Sequence, residues 1–323
     1  MTAYSPGLSL YVQFCDTHGA SFPPTADMVL AFATFLFAHS SVPFSSVKRH
    51  VLALRSICVD VGASIDCFDN PRLSRLYIGM AKSRPPRTAP PPPRRLPITG
   101  PILARLLTLA PPSTNLGRAL RAASALGFFG LMRAGEIAGK GTNSPILLRQ
   151  HVTWKQDQLH LLLPHSKTDR LHQGVTLKIF KSSSAICPYD LLRAAWVSAP
   201  RQAPTDPLLQ VDLLGTPLSY RTLLNFMKQA VSTMGLDPAV FGTHSLRIGG
   251  ATQLAMCNFS TSQIQEVGRW TSDCYRRYLR FDDSFFRQVS HALGSSASAT
   301  ASPFGPLTPH QASSANNLVA QRR

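Results

Sequence analysis

Acidic residues are scarce in this chain. Only 16 Asp and Glu stand against 33 Lys and Arg in 323 residues, a formal net charge of +17. That deficit argues for a polyanionic partner, most simply nucleic acid, with a merely basic soluble protein as the plain alternative. Cysteine is also sparse. The six residues Cys15, Cys58, Cys67, Cys187, Cys257 and Cys274 are scattered and form no C-x-x-C pair. Free thiols in a reducing compartment are expected rather than a disulfide framework. No apolar run is long enough to cross a bilayer, and the longest, Met28–Ala38, reads as a buried helix. The N-terminus lacks a basic stretch leading into an apolar core, so no signal peptide and an intracellular location are expected. His160, His165 and His172 lie near one another in sequence, but their spacing fits no usual zinc pattern, and no metal site is expected.

What is present divides the chain. Residues 83–97, SRPPRTAPPPPRRLP, hold seven prolines, four arginines and no acid. Such a segment cannot form a packed core and reads as a semi-extended basic linker, tracking a duplex or acting as a passive spacer. Residues 1–82 read as all-helical. Leu8, Tyr11, Val12 and Cys15 fall at helical spacing, and Pro23-Pro24-Thr25 leads into the Met28–Ala38 run. Ser45 or Ser46 can cap a third helix, with Val47, Val51, Leu54, Ile57 and Cys58 as its inner face. Residues 71–82 make a fourth, with Pro71 as its first residue.

Residues 98–293 are mixed. Helices are expected over Pro101–Leu109, Leu116–Ala138, Pro188–Ser198, Tyr220–Gly235, His244–Asn258 and Ser260–Val267. Gln158–Leu163 and Gly174–Phe180 read as a β-hairpin with a basic loop. The fold class is therefore mainly α with a small β-hairpin or sheet. From Gly294 to residue 323 the Ser/Ala/Thr/Pro-rich tail is expected to be disordered.

Several side chains invite chemistry, and each has a bland counterpart. Arg133 closes an apolar run and is followed by Glu136, three positions on. The two form either a structural ion pair or a glutamate-held guanidinium aimed at a phosphate. Thr243 is a candidate cap for a helix whose first residue, His244, shares a face with Arg247. An H-x-x-R pair at a helix start suits an anion, yet such pairs also occur by chance. Lys167 in the hairpin loop is either solvated or reaches a leaving oxygen as a proton donor. Tyr275 and Tyr278 follow Trp270 among Arg276, Arg277 and Arg280. They belong to an exposed basic helix, or one of them is a nucleophile whose phenolate the arginines favour.

The ordered set Arg133, Lys167, His244-x-x-Arg247, Trp270, Tyr278 resembles the signature of the tyrosine recombinase (phage-integrase-like) family. ALGFFGLMRAGEIA resembles the family's first arginine box, HSLRIGGATQLA its second and GRWTSDCYRRYLR the end of its site, with Trp270 where many members have histidine. The resemblance covers roughly 98–291, and 1–82 looks like the family's helical core-binding domain. The phrasing is most similar to recombinases of eukaryotic mobile elements, DIRS-like or crypton, which implies a nuclear location.

The resemblance implies site-specific DNA strand exchange or integration. Tyr278 would attack the scissile phosphate to give a 3′-phosphotyrosyl link and a free 5′-hydroxyl. Arg133 and Arg247 would hold the non-bridging oxygens, Lys167 would protonate the leaving oxygen, and His244 would handle the tyrosine proton. Trp270 would donate its indole N–H to the phosphate, and Glu136 would orient Arg133 or His244. No cofactor is implied. Trp270 lies eight positions before Tyr278, one fewer than in many members, which leaves Tyr275 as the runner-up nucleophile. The implied partners are double-stranded DNA and three further copies, a homo-tetramer on two duplexes, each passing a C-terminal segment to its neighbour; Ser284–Leu293, a short amphipathic helix, is expected to dock in this way, with packing on its own domain as the alternative. A non-catalytic DNA-binding derivative, a type IB topoisomerase-like nicking and rejoining enzyme, and a basic RNA- or chromatin-binding protein are the competing classes.

Overall fold

The structure is a computed structural model that describes residues 5–38, 42, 44–83, 94–139, 141, 146–164, 173–281 and 283–298. The chain falls into two compact units, Met1–Pro92 and Pro93–Arg323.

Four helices build the first unit: α1 (Ser5–His18), α2 (Ala26–Ala38), α3 (Phe44–Asp60) and α4 (Pro71–Lys82). Its core is aromatic. Tyr11 meets Phe32 edge to face at 5.0 Å, and Phe14 lies 5.5 Å from both Phe32 and Phe35. Tyr11 escapes the cost of a buried hydroxyl by donating to the Ser21 carbonyl at 2.8 Å. The inner face of α1 is thus Tyr11 and Phe14, while Leu8 and Val12 of the expected stripe are exposed. Helix α3 begins at Phe44, so Ser45 and Ser46 lie inside it rather than at its cap. Its inner face is as expected at Val47, Val51, Leu54 and Cys58, with Ile57 half-buried. Helix α4 starts at Pro71, where the Asn70 side chain accepts the Arg72 N–H at 2.9 Å.

The second unit opens with an extended segment, 94–98, tied down at three points. Leu96 N–H donates to the Val240 carbonyl and Ile98 N–H to the Ser245 carbonyl, both at 2.9 Å. The Arg95 guanidinium donates to the carbonyls of Ala239 and Phe241 at 2.7 and 2.6 Å. Helices α5 (Gly100–Thr108) and α6 (Asn115–Phe129) follow. The expected helix over Leu116–Ala138 is not continuous. It stops at Phe129, Leu131 turns into positive φ (44°), and a short helix α7 (Ala134–Ile137) restarts after Arg133. The break places Arg133 in extended backbone just before α7.

Strands β1 (Val152–Trp154), β2 (Gln158–Leu163) and β3 (Val175–Phe180) form one antiparallel sheet in that order, with Leu161 opposite Val152 and Leu177. Alternation along β2 buries Leu159, Leu161 and Leu163 against the core. The third strand, β1, escapes a sequence reading because three residues are too few to show a period. Helices α8 (Pro188–Val197), α9 (Tyr220–Thr233), α10 (His244–Met256) and α11 (Thr261–Gly268) lie close to their expected spans. Helix α10 is buried nearly all round from Ser245 to Thr252. Its Gly249 and Gly250 let the backbone at Ile98 and at Phe128 press directly against it. Asp273–Tyr278 forms a short 3₁₀ turn, not the exposed basic helix that was one of the two readings of this stretch, and α12 (Asp283–Ser298) runs past Gly294, where order was expected to end.

Candidate active site

The site forms where the break after α6, the first turn of α10, the end of α11 and the 3₁₀ turn converge. Glu136 lies at its centre. Its carboxylate accepts the backbone N–H and the guanidinium of Arg133, both at 2.8 Å, and the guanidinium of Arg269 at 2.9 Å. The Arg133 side chain keeps 19% of its surface exposed, against 6% for Glu136 and 7% for Arg269. Arg133 is therefore the guanidinium of this group that meets solvent.

Arg247 has no solvent exposure at all. It donates to the Leu131 carbonyl and, at 2.5 Å, to the Gly268 carbonyl. Its guanidinium carbon lies 4.2 Å from the centre of the Trp270 ring and 5.2 Å from that of Tyr278. Stacking on two aromatic faces offsets part of the cost of burying the charge. Burial, reinforced by the charges of Arg133 and Arg269, lowers its pKa to about 10, which leaves it a cation near neutrality.

The imidazole of His244 stands 5.0 Å from the Tyr278 ring, and Tyr278 lies 4.8 Å from Trp270. His244 is exposed as a residue, yet protein crowds its ring. Local burial and then the charges of Arg247 and Arg133 hold its pKa below the ordinary value, favouring the neutral base. Thr243 does not cap α10. It takes up helical angles itself, and the Gly242 N–H donates instead to the Ser245 hydroxyl at 3.1 Å.

The two tyrosines separate cleanly. Tyr275 is 3% exposed and packs with Leu131, Ala251, Ile264 and Trp270. Tyr278 is half-buried and is the one beside His244 and Arg247. Thr252 of α10 fixes its backbone. Its hydroxyl donates to the Tyr278 carbonyl at 3.2 Å and accepts the Arg280 N–H at 3.1 Å. The Arg280 Nε–H reaches back to the Arg95 carbonyl at 3.2 Å.

The structure thus gathers Arg133, Glu136, His244, Arg247, Trp270 and Tyr278 and turns Tyr275 into the core. Lys167, with His165 and His172, lies outside the described residues. Sequence reasoning missed Thr252 and Arg269. An interior threonine gives no signal. Arg269 follows a helix end, which normally means an exposed cap, but its left-handed backbone (φ 57°) turns the side chain inward.

No protein-family model matches the chain. Over 166 residues it is 27% identical to an integrase/recombinase XerD homolog of Selenomonas ruminantium, which is 50% of this chain and 46% of that protein. The match therefore spans less than half of the relative's length. Among solved structures, it resembles the XerH site-specific recombinase bound to palindromic difH substrate in a post-cleavage complex, with a TM-score of 0.59 and 15% identity, over 90% of this chain and 79% of that one. It also resembles the Tn1549 transposon integrase in complex with transposon right end DNA, with a TM-score of 0.54 and 14% identity, over 91% and 95% of the two chains. The chain has the fold of the tyrosine recombinases.

Proposed function

We propose that this protein belongs to the tyrosine recombinase/integrase family and breaks and rejoins DNA through a 3′-phosphotyrosyl intermediate. The observation that carries the reading is the packing of Tyr278 against His244, Trp270 and Arg247, with Arg133 open to solvent alongside. The Tyr278 hydroxyl attacks the phosphorus while neutral His244 takes its proton. The bond to the 5′ oxygen breaks, and that oxygen receives a proton from Lys167. Arg133 and Arg247 offset the charge that builds on the non-bridging oxygens. Arg247 is wholly covered, with the Trp270 and Tyr278 rings both against it, so the substrate phosphate reaches it only after a covering side chain moves. Attack by a 5′-hydroxyl on the tyrosyl ester reverses the chemistry, so the bond energy is conserved and no nucleotide hydrolysis is needed.

The finer reading is a recombinase of a mobile element, acting in the nucleus as a tetramer on two duplexes, with Ser284–Leu293 docked on the neighbouring copy. It rests on the GRWTSDCYRRYLR phrasing, on the structural likeness to a transposon integrase and on the basic charge. Suicide substrates built on the element's own ends test the core of the proposal. Wild type becomes covalently joined to DNA, the adduct maps to Tyr278, Tyr278→Phe forms none and Tyr275→Phe still forms it. Capture that survives in Tyr278→Phe overturns the assignment, and binding without any capture by wild type points to a non-catalytic derivative. Relaxation of plasmids lacking target sites points to topoisomerase-like activity.

A further inference from the structure

Arg269 plays no part in the chemistry described so far, yet it occupies the middle of the site. Its guanidinium donates to the Gly130 carbonyl at 3.0 Å, the Leu131 carbonyl at 3.2 Å and the Glu136 carboxylate at 2.9 Å. Two of these acceptors are shared. The Leu131 carbonyl also receives Arg247, and the Glu136 carboxylate also receives Arg133. One side chain therefore touches the anchor of both arginines assigned to the phosphate. Leu131 is itself in the left-handed region, so its carbonyl is aimed by the chain break rather than by a regular element.

Charge makes the arrangement specific. Arg133, Arg247 and Arg269 bring three positive charges to a buried cluster in which Glu136 supplies one negative charge. Packing three guanidinium groups around one carboxylate costs stability, since burial and mutual repulsion both oppose it. An unreactive phosphodiester carries one negative charge, and the five-coordinate state formed by tyrosine attack carries two. The unbalanced excess matches the anion at the moment of reaction better than the anion at rest. Arg269 donates to the Glu136 carboxylate and to two carbonyls, whereas Arg247 is the guanidinium that lies against the Tyr278 ring.

We infer that Arg269 is a positioning residue for phosphoryl transfer: by sharing Glu136 with Arg133 and the Leu131 carbonyl with Arg247, it sets the spacing of the two phosphate-binding arginines. Without it, Glu136 is free to take both forks of Arg133 and draw that side chain off the solvent-facing side. Lysine restores the charge at position 269 but not the planar fork that spans two acceptors.

This inference rests on the recombinase reading, and the test separates the two. Covalent capture on suicide substrates is measured at saturating DNA, with the half-saturating DNA concentration and the melting temperature, for wild type, Arg269→Met, Arg269→Lys, Glu136→Gln and the Arg269→Met/Glu136→Gln double variant. The expected result is a fall of about 100-fold in the saturated rate for Arg269→Met, the scale of a small misplacement of catalytic groups. The half-saturating concentration stays near wild type, and Arg269→Lys falls between the two. In the double variant the loss is smaller than the product of the two single losses, because both act through Arg133. A wild-type rate at saturation in the folded Met or Lys variant overturns the inference alone, as does a loss confined to DNA affinity or melting temperature. If Arg269→Met does not fold, Arg269→Lys decides by the same criteria. If neither folds, Arg269 is a structural residue and the inference fails. Absence of capture by wild type overturns the recombinase reading and this role with it.

Discussion

His244 is the residue whose environment makes the sharpest demand on experiment. Its pKa is held below the ordinary value by local burial and by two guanidinium charges. In the proposed mechanism it accepts the tyrosine proton and must therefore be neutral. The capture rate is therefore expected to be flat through neutral pH and to fall only when the pH drops below the depressed value. His244→Gln should remove that acid limb along with most of the rate. An acid limb centred at or above the ordinary histidine range contradicts the assignment. The stability sign runs the same way. The unfolded chain binds the His244 proton more readily than the folded one, so this contribution is present above the unfolded pKa and is lost as pH falls through the folded value. Tyr278 and Tyr275 make a parallel contrast: equal in sequence, they differ in that one lies beside a base and a cation and the other fills a core cluster.

Helix α10 carries His244, Arg247 and Thr252, and its position is fixed by the glycines that let it touch neighbouring backbone. Gly250→Ala would gain up to about 1 kcal/mol of helix propensity in an open helix. Here the added methyl overlaps the Phe128 carbonyl and Leu131, and a backbone carbonyl cannot move aside cheaply. Overpacking at about 1–3 kcal/mol outweighs the propensity gain. The variant should therefore be net destabilised in urea or thermal unfolding, with slower capture at temperatures where it remains folded. A net stabilisation would show that the close approach is not real. At this scale much was legible beforehand. Long amphipathic segments announced themselves by period, and the hairpin strands by alternation. The misses have physical causes. The apolar run before Arg133 reads as one helix because a residue that adopts positive φ, Leu131, looks helix-compatible in sequence. The outward Leu8 and Val12 mimic an inner stripe because nothing in a single helix says which apolar face its neighbours will cover. Residue order brought Arg133, Glu136, His244, Arg247, Trp270 and Tyr278 into view, whereas Arg269 became visible only through where its backbone turns.

Over the whole chain, on the recombinase reading, the excess of basic residues governs how DNA is held. The charge of +17 lies mainly in the second unit and the basic segment before it, since residues 1–82 hold six Lys and Arg against five Asp, and binding there should be dominated by displaced counterions. If about 6–10 phosphates are neutralised, affinity for any duplex should drop by about 10³- to 10⁵-fold between about 50 and 200 mM salt. A shallow salt slope in a mobility-shift or anisotropy titration would argue that the basic residues serve another partner. The segment that enters the second unit adds a mechanical consequence. Residues 95–98 are bonded on one side to the chain around the start of α10 and on the other to Arg280, two positions beyond Tyr278. Tension on the incoming chain is therefore borne at the same place as His244 and Tyr278. A pull at Arg95 is divided between the loop before His244 and the turn holding Tyr278, so a load that shifts one loads the other.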